Sequence, residues 1–147
     1  MRNVRLEKNM IMGTTGWYEH IDQVKRLTEQ SNIGFLYSPN FSLGVALFLE
    51  IVSQATALFS PYEMYDVGGS ETHHNQKADS PSGTAKEIAK RLLANVPRKK
   101  GVLYDLCNAK ISPEQIHFPS LRLGSFPGTH SVTFDSPVDS ITLTHSA

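Results

Sequence analysis

The spacing of apolar residues predicts two long helices in the middle of the chain. Residues 42–59 are apolar around most of a helical circumference, so we expect a buried helix with Ser42 as its N-cap. In residues 85–96 the apolar positions follow the spacing i, i+3, i+4, i+7, i+8 and i+11, which is typical of an amphipathic helix. Thr84 and Glu87 match a capping box, so we expect this second helix to begin there.

Alternation of apolar and polar residues predicts strands on either side of the second helix. Residues 62–72 form one strand candidate, with Tyr65 and Val67 on one face. From residue 116 onward, alternation predicts three antiparallel strands, and their core-facing pairs are Leu121 and Leu123, Val132 and Phe134, and Ile141 and Leu143. This order of elements predicts an α+β fold, in which a mixed sheet carries its helices on one face and leaves the other face open for a partner.

The first forty residues follow a different pattern. A short apolar run, residues 10–12, stops at the turn signal of residues 13–16, and a helix over residues 19–30 and a strand over residues 32–37 follow. A strand, turn, helix and strand in this order are typical of a parallel α/β sheet, which binds ligands at the carboxyl ends of its strands. No G-x-G-x-x-G motif opens the segment. We therefore expect residues 1–41 to be the last β-α-β piece of a Rossmann-like α/β domain and residues 42–147 to form a second domain.

Composition and charge exclude several classes of partner. Fourteen basic and fourteen acidic residues give a formal net charge of zero, so we expect binding neither to nucleic acid nor to an anionic membrane. The most apolar stretch, residues 41–59, contains Glu50 and Gln54, which favours a buried helix over a membrane span. One unpaired cysteine and the absence of a signal-peptide pattern predict a cytoplasmic protein.

Polar side chains that can carry chemistry concentrate in residues 70–84. Adjacent His73 and His74, with Lys77 nearby, lie between the predicted strand and a Ser-Gly-Thr sequence at a helix start. Unpaired N–H groups at a helix N-terminus favour an anion, and a lysine both attracts an anion and can donate a proton. The segment therefore predicts a site for a carboxylate or phosphate, although solvated histidines and an unliganded helix start would give the same pattern.

Other kinds of catalytic site receive less support. A zinc site from Glu71, His73, His74 and Asp79 matches no closed structural spacing, and Lys77 would repel the ion. Cys107 has no adjacent base, and Ser82 lacks the G-x-S-x-G elbow of a nucleophile. The remaining histidines of the strand region are expected to be structural or exposed, and these are His117, His130 and His145.

The motifs, in their order along the chain, resemble the signatures of bacterial 4-hydroxy-tetrahydrodipicolinate reductase, a family also called dihydrodipicolinate reductase. The matching segments are residues 13–16, residues 38–45 and residues 71–85, and their order and spacing agree over almost the whole chain. The resemblance implies a cytoplasmic enzyme of the diaminopimelate route to lysine. It implies that NADPH or NADH reduces a cyclic unsaturated imine that carries two carboxylates.

The resemblance also implies roles for individual residues. His73 would be the catalytic acid/base residue and Lys77 the proton donor. The substrate would be bound by His74, Ser82, Gly83 and Thr84. The nicotinamide cofactor would be bound by Gly13, Thr14, Thr15, Ser38, Pro39, Asn40 and Phe41. No metal is expected in the site.

The family pattern extends beyond this sequence at both ends. It implies that residues 1–41 are a remnant of the dinucleotide-binding domain and that residues 42–147 are the substrate-binding domain, which forms a homotetramer through its sheet. Relative to that pattern, the chain lacks most of the nucleotide-binding domain and a C-terminal return helix. The alternative is therefore a catalytically inactive fragment that acts as an oligomerisation or anion-binding module.

Overall fold

A computed structural model describes residues 8–14 and 17–147 of the chain. The chain divides into two compact units, Met1–Ser42 and Leu43–Ala147. This boundary lies one residue from the predicted one, and the roles expected for the two domains stay predictions. Within the described ranges, no helix is long and apolar enough to cross a membrane.

The first unit contains a small parallel sheet. Strand β1 (Met10–Met12) is followed by a short 3-10 helix and by helix α1 (Ile21–Gln30), and strand β2 (Phe35–Tyr37) completes the unit. The two strands pair in parallel, with Met10 opposite Phe35. The predicted β-α-β order is confirmed, although β2 begins three residues later than residue 32, because residues 31–34 form a turn after α1.

The second unit builds a four-stranded mixed sheet with two helices. Its elements are α2 (Leu43–Phe59), β3 (Asp66–His73), α3 (Gly83–Asn95), β4 (Gly101–Leu103), β5 (Gln115–His117), β6 (Ser120–Arg122), β7 (Thr129–Asp135) and β8 (Ser140–Ser146). The strand order in the sheet is β6-β3-β7-β8, and β4 and β5 form a separate parallel pair. Strand β6 is parallel to β3, while β7 is antiparallel to both β3 and β8.

The core lies between the helices and one face of this sheet. Its buried residues come from both layers: Phe48 and Val52 of α2, Ile88 and Leu92 of α3, and Val67, Val132 and Phe134 of the sheet. Phe118 packs so closely over Gly69 that a Cβ there would collide with its ring and would lie 2.7 Å from the carbonyl oxygen of Ser131. The predicted α+β class, with the helices on one face of a mixed sheet, is confirmed.

The predicted strand around residue 121 is wrong in direction and in its buried face. We expected an antiparallel strand with Leu121 and Leu123 in the core, but β6 runs parallel to β3 and these leucines are 56% and 53% exposed. The pairing explains the error, because Leu121 lies opposite Thr72 and therefore shares the open face of the sheet with it. The strand before α3 is also shorter than predicted, since β3 begins at Asp66.

The start of α3 is also two residues from its predicted position. Ser82 is the N-cap, and its hydroxyl accepts a hydrogen bond from the Ala85 backbone N–H at 3.1 Å. The expected capping box of Thr84 and Glu87 is therefore wrong, because both residues already belong to the helix. This shift places Ser82 at the junction between the helix and the sheet.

The open face of the sheet carries a ladder of hydroxyl groups. Three cross-strand pairs between β7 and β8 approach within 2.9–3.0 Å, and these are Thr129 with Ser146, Ser131 with Thr144, and Thr133 with Thr142. Because one hydroxyl of each pair donates to the other, the ladder itself presents small, uncharged polar side chains. Such a surface is suited to close approach of another sheet.

The contact over Gly69 yields a stability prediction. In Gly69→Ala the new methyl group would meet the Phe118 ring and the Ser131 carbonyl, so we expect a loss of roughly 1–3 kcal/mol in the free energy of unfolding, as in other overpacked cores. Urea unfolding followed by circular dichroism measures it. Gly101→Ala is the matched control, because no atom of the described residues lies within 4 Å of a Cβ at that strand position. Equal stabilities of the two variants would contradict the close packing of Phe118 over Gly69.

Candidate functional site

The inner face of the sheet changes from apolar to polar along β3. Val67 and Gly69 face the core, and the next residues of the same row are Glu71 and His73. His130 of β7 lies directly opposite Glu71, and Arg122 of β6 lies opposite His73. The register of three strands therefore brings ionisable side chains together where the hydrophobic core ends.

Glu71 is the centre of this cluster. Its side chain is buried at 1% exposure, and its Oε1 atom accepts hydrogen bonds from the Ser82 backbone N–H at 2.9 Å, the Ser120 hydroxyl at 2.7 Å and the Arg122 guanidinium at 3.1 Å. Burial opposes ionisation, but the contact with His130 and the hydrogen bonds from Ser82 and Ser120 outweigh it and hold the pKa of Glu71 far below its usual range. Glu71 is therefore a buried carboxylate anion at neutral pH.

The second oxygen of Glu71 lies between two imidazoles. Oε2 is 3.2 Å from Nδ1 of His73 and 3.4 Å from Nε2 of His130. Neither contact is aligned as a hydrogen bond, although both Oε2 and Nδ1 of His73 are buried. Nε2 of His130 also lies 3.2 Å from the Ser82 hydroxyl. One carboxylate therefore contacts both rings and the start of α3.

His73 is a buried and neutral imidazole. It is 8% exposed, and burial lowers its pKa. The attraction of Glu71 acts in the opposite direction, while His130, Lys77 and Arg122 lower the pKa further. An imidazole whose pKa lies below its ordinary value is uncharged near pH 7, so His73 can accept a proton there.

The loop between β3 and α3 carries the other predicted residues. Lys77 is half-buried, and its Nζ atom is 2.7 Å from a carboxylate oxygen of Asp79. Burial raises the pKa of Asp79, but the hydrogen bond from Lys77 and the positive charge of Lys77 together lower the pKa overall. Asp79 is itself held through its backbone carbonyl, which accepts a hydrogen bond from Arg122 at 2.7 Å. His74 is half-buried and directly follows β3.

The N-terminus of α3 completes the polar cluster. Ser82 is 3% exposed and uses its hydroxyl as the helix cap and its backbone N–H to bind Glu71. Its predicted contact with substrate stays a prediction, and these hydrogen bonds also give it a structural role. Gly83 and Thr84 are partly exposed, and their first-turn N–H groups have no acceptor within the helix by position. These two amides can receive an anion.

Three buried side chains of the cluster have the donor types of a metal site. Ligand atoms of Glu71, His73 and His130 lie within 4.8 Å of one another, whereas the zinc set suggested by the sequence contained His74 and Asp79 instead of His130. The charge of Glu71 is already balanced by the Arg122 guanidinium, and Lys77 adds a further positive charge that acts on His73. This electrostatic environment opposes a divalent cation, so we assign no metal.

His130 belongs to this cluster, although the sequence pattern did not place it among the candidate site residues. It was expected to be structural or exposed, and it is buried beside Glu71 and His73. The signal for its burial was present, because alternation places His130 on the same face as Val132 and Phe134. His145 also fits the expected structural role, because it packs against the ring of Phe48.

The residues expected to bind the cofactor lie at one end of the small sheet in the first unit. Because β1 and β2 are parallel, Gly13 and Thr14 leave the sheet on the same side as Ser38. The Ser38 backbone N–H donates to the Met12 carbonyl, and a Cβ at Gly13 would lie 3.6 Å from the ring of Phe41.

Two further residues, Pro39 and Asn40, are exposed in the same loop, and Thr15 lies outside the described residues. The Phe41 ring is half-exposed beside this loop, and the cofactor role of these residues stays a prediction.

The ionised state of Glu71 predicts how stability depends on pH. A depressed carboxyl pKa contributes stability that is present above the unfolded-state pKa and is lost as the pH falls toward the folded-state value. We expect Glu71→Gln to lower the free energy of unfolding by roughly 3 kcal/mol at about pH 7, because it removes the carboxylate that pairs with the Arg122 guanidinium. The deficit should shrink at about pH 3.5, where the unfolded wild-type chain takes up the proton.

Urea unfolding at both pH values measures this difference. Glu87→Gln removes a carboxylate from the half-buried pair with Arg91 and is the control, with an expected loss below about 1 kcal/mol. A deficit of Glu71→Gln that is the same at both pH values would mean that the carboxylate charge is not what stabilises the cluster.

Comparison with known proteins assigns the chain to a family. Residues 44–147 match a family model described as "Dihydrodipicolinate reductase, C-terminus". A 4-hydroxy-tetrahydrodipicolinate reductase of Christiangramia forsetii is 36% identical over 138 residues, and one of Archaeoglobus fulgidus is 40% identical over 143 residues. Each alignment covers 94% of this chain, but 56% and 53% of the relatives. The chain thus spans about half the length of these relatives.

A solved structure agrees with the sequence relatives. The dipicolinate-bound dihydrodipicolinate reductase of Paenisporosarcina sp. TG-14 superposes with a TM-score of 0.61 at 30% identity, over 93% of this chain and 52% of that one. The family model covers nearly all of the unit that contains Glu71, His73 and His130. By both sequence and fold, the chain belongs to the dihydrodipicolinate reductase family.

Proposed function

We propose that this chain functions in a 4-hydroxy-tetrahydrodipicolinate reductase of lysine biosynthesis. Its second unit binds a cyclic dicarboxylate. The observation that carries the proposal is the loop from β3 to α3. Within it, the neutral imidazole of His73, the ammonium of Lys77 and the amides of Gly83 and Thr84 follow one another in twelve residues. A carboxylate ligand needs directed donors, and a reduction that ends in protonation needs an acid.

The chemistry assigned to the site is the reduction of a cyclic unsaturated imine to tetrahydrodipicolinate. Bound NADPH or NADH would supply the hydride to a ring carbon conjugated with the imine, and a proton would reach the neighbouring carbon. Lys77 is the proposed donor of this proton, and its Nζ atom lies 2.7 Å from a carboxylate oxygen of Asp79. His73 is the proposed acid/base residue, because it is neutral and can accept a proton. Positive charge around the ring would stabilise the negative charge that develops on it.

Three residues are proposed to hold the substrate carboxylates. The first-turn amides of Gly83 and Thr84 lie at the N-terminus of α3, where helices bind anions, and His74 is partly exposed directly after β3. A family relative of known structure is described as dipicolinate-bound, which supports a planar dicarboxylate as the ligand class.

The first unit is proposed to contribute to cofactor binding. Gly13, Thr14 and Ser38 lie at the carboxyl ends of parallel strands, where nucleotides bind in open α/β sheets. Phe41 is half-exposed beside them and can pack against a nicotinamide ring.

The open sheet face is proposed to mediate assembly into a homo-oligomer, with a tetramer as the expected state. The paired hydroxyls of β7 and β8 carry no charge, and the hydroxyl that accepts in each pair keeps its own O–H to donate to a second copy. Leu121 adds an exposed apolar side chain to the same face.

One observation favours a second candidate function. Because the chain spans about half the length of its relatives, it is compatible with a module that binds anions or assembles without catalysis. Oxidation of NADPH or NADH in the presence of substrate, followed by the absorbance of the reduced nicotinamide, separates the two. Turnover supports the reductase, while ligand binding without turnover supports the module.

Binding of dipicolinate tests the proposed anion site. We expect calorimetry to detect binding to the wild-type chain and a loss of about tenfold to a hundredfold in affinity for Lys77→Ala and for His74→Ala, the range that a charge-assisted hydrogen bond supports. Lys90→Ala is the matched control, because it removes one exposed lysine from α3 outside its first turn. Equal affinity in Lys77→Ala, His74→Ala and Lys90→Ala would contradict the assigned site.

Sedimentation equilibrium tests the proposed interface. Thr133→Lys places a charge in the centre of the hydroxyl ladder, so we expect it to shift the wild-type oligomer toward monomer. Ala94→Lys adds the same charge on the exposed side of α3 and should leave the assembly unchanged. A monomeric wild-type chain, or equal masses for the two variants, would argue against this face as the interface.

A further inference from the structure

The contact between Glu71 and His73 bears on which nitrogen of the catalytic imidazole carries its proton. Nδ1 of His73 is buried and lies 3.2 Å from Oε2 of Glu71, which is also buried. Neither atom has another hydrogen-bond partner among the described residues. Oε2 is therefore the acceptor that Nδ1 of His73 faces, and Oε2 also lies 3.4 Å from Nε2 of His130.

The chemistry of the pair determines the direction of that interaction. An ionised carboxylate has no proton to donate and can only accept. A neutral imidazole carries one proton, on either Nδ1 or Nε2, and a neighbouring acceptor selects the nitrogen that is protonated. The 3.2 Å separation is within the reach of a hydrogen bond from Nδ1–H to Oε2.

We propose that Glu71 is a positioning residue that keeps the proton of His73 on Nδ1, so that Nε2 is the atom through which His73 exchanges protons with a ligand. The assignment of a ligand to His73 rests on the proposed function, whereas the tautomer does not.

The surroundings of Glu71 make it suited to this role. Three donors from three different elements hold Oε1: the Ser82 backbone N–H before α3, the Ser120 hydroxyl and the Arg122 guanidinium. Because Oε1 is fixed in this way, the direction of Oε2 is fixed as well. An exposed glutamate has no such restraint and would not orient a ring.

The other side of the His73 ring shows the same close fit. A Cβ at Gly128 would lie 3.0 Å from Nε2 and 3.2 Å from Cδ2 of His73, and Gly128 has a φ of +146°, which side-chain-bearing residues rarely adopt. A side chain at this position would therefore crowd Nε2. Glycine leaves that nitrogen free while Glu71 holds the opposite edge of the ring.

The charged groups around His73 explain why the tautomer matters. Glu71 on β3 attracts a second proton, while Lys77 in the loop, Arg122 on β6 and His130 on β7 oppose it. Asp79 pairs with Lys77 and so moderates its effect. The ring is consequently neutral at neutral pH, and in a neutral ring the two nitrogens have different functions.

The test is a measurement of the His73 tautomer in the folded wild-type chain. Long-range proton–nitrogen correlation spectra of protein labelled with ¹⁵N-histidine, recorded at about pH 7.5, distinguish the two tautomers, and the signal missing in His73→Gln identifies the residue. We expect the Nδ1–H form to exceed the Nε2–H form by about tenfold or more. A dominant Nε2–H form in the folded wild-type chain would overturn the proposal.

Variants test whether Glu71 determines the tautomer of His73. In Glu71→Gln the amide can donate as well as accept, so we expect the excess of the Nδ1–H form to fall several-fold or to reverse. Glu87→Gln, which changes a carboxylate in α3, should leave the His73 signal unchanged. An unaltered tautomer in a folded Glu71→Gln protein would overturn the role of Glu71, and if that variant does not fold, the wild-type spectrum alone decides.

The outcome is separable from the proposed function. Binding of dipicolinate with an Nε2–H tautomer would overturn the positioning role and leave the binding site in place. An Nδ1–H tautomer in a chain that does not bind dipicolinate would support the positioning role and count against the proposed ligand.

Discussion

The buried carboxylate of Glu71 is the interaction on which the second unit depends. One oxygen joins the end of β3 to β6 through Ser120 and Arg122 and to the start of α3 through the Ser82 amide, while the other lies between His73 and His130. A buried carboxylate is costly unless donors surround it, and in this unit the donors come from β6 and from the start of α3. The residues that satisfy Glu71 therefore also fix the relative positions of the elements that bear the site.

The position of the site follows from the same strand register that builds the core. Val67 and Gly69 face Phe134 and Val132 across the β3–β7 pair, and one step further along the row Glu71 faces His130. The apolar residues of this row pack beneath the helices. The polar residues that continue the row are therefore buried at the edge of the core. Site and core are thus parts of one continuous surface, and a slip of one residue in the β3–β7 register would move Glu71 and Val67 to the open face together.

Local patterns were sufficient to predict the helices and the class of fold, but not the pairing of β6. The apolar periodicity of residues 85–96 and of residues 42–59 depends on the sequence alone, and both helices form there. The direction of β6 depends on its neighbour β3, about fifty residues away, and a three-residue strand contains too little alternation to indicate which face is buried. His130 was missed for the same reason, since its importance comes from lying opposite Glu71 and not from its neighbours in the chain.

The charges around the site constrain how it can attract a dianion. Glu71 and Asp79 are negative, Arg122 and Lys77 are positive, and His73 is neutral, so these five groups sum to zero. The Ser82 backbone N–H at the start of α3 donates to Glu71, so the helix dipole already stabilises this internal anion when no ligand is bound. Net charge therefore contributes little to binding. Affinity must come from directed donors, and the remaining ones at this end of α3 are the amides of Gly83 and Thr84 together with a Lys77 ammonium that a ligand carboxylate would share with, or take from, Asp79.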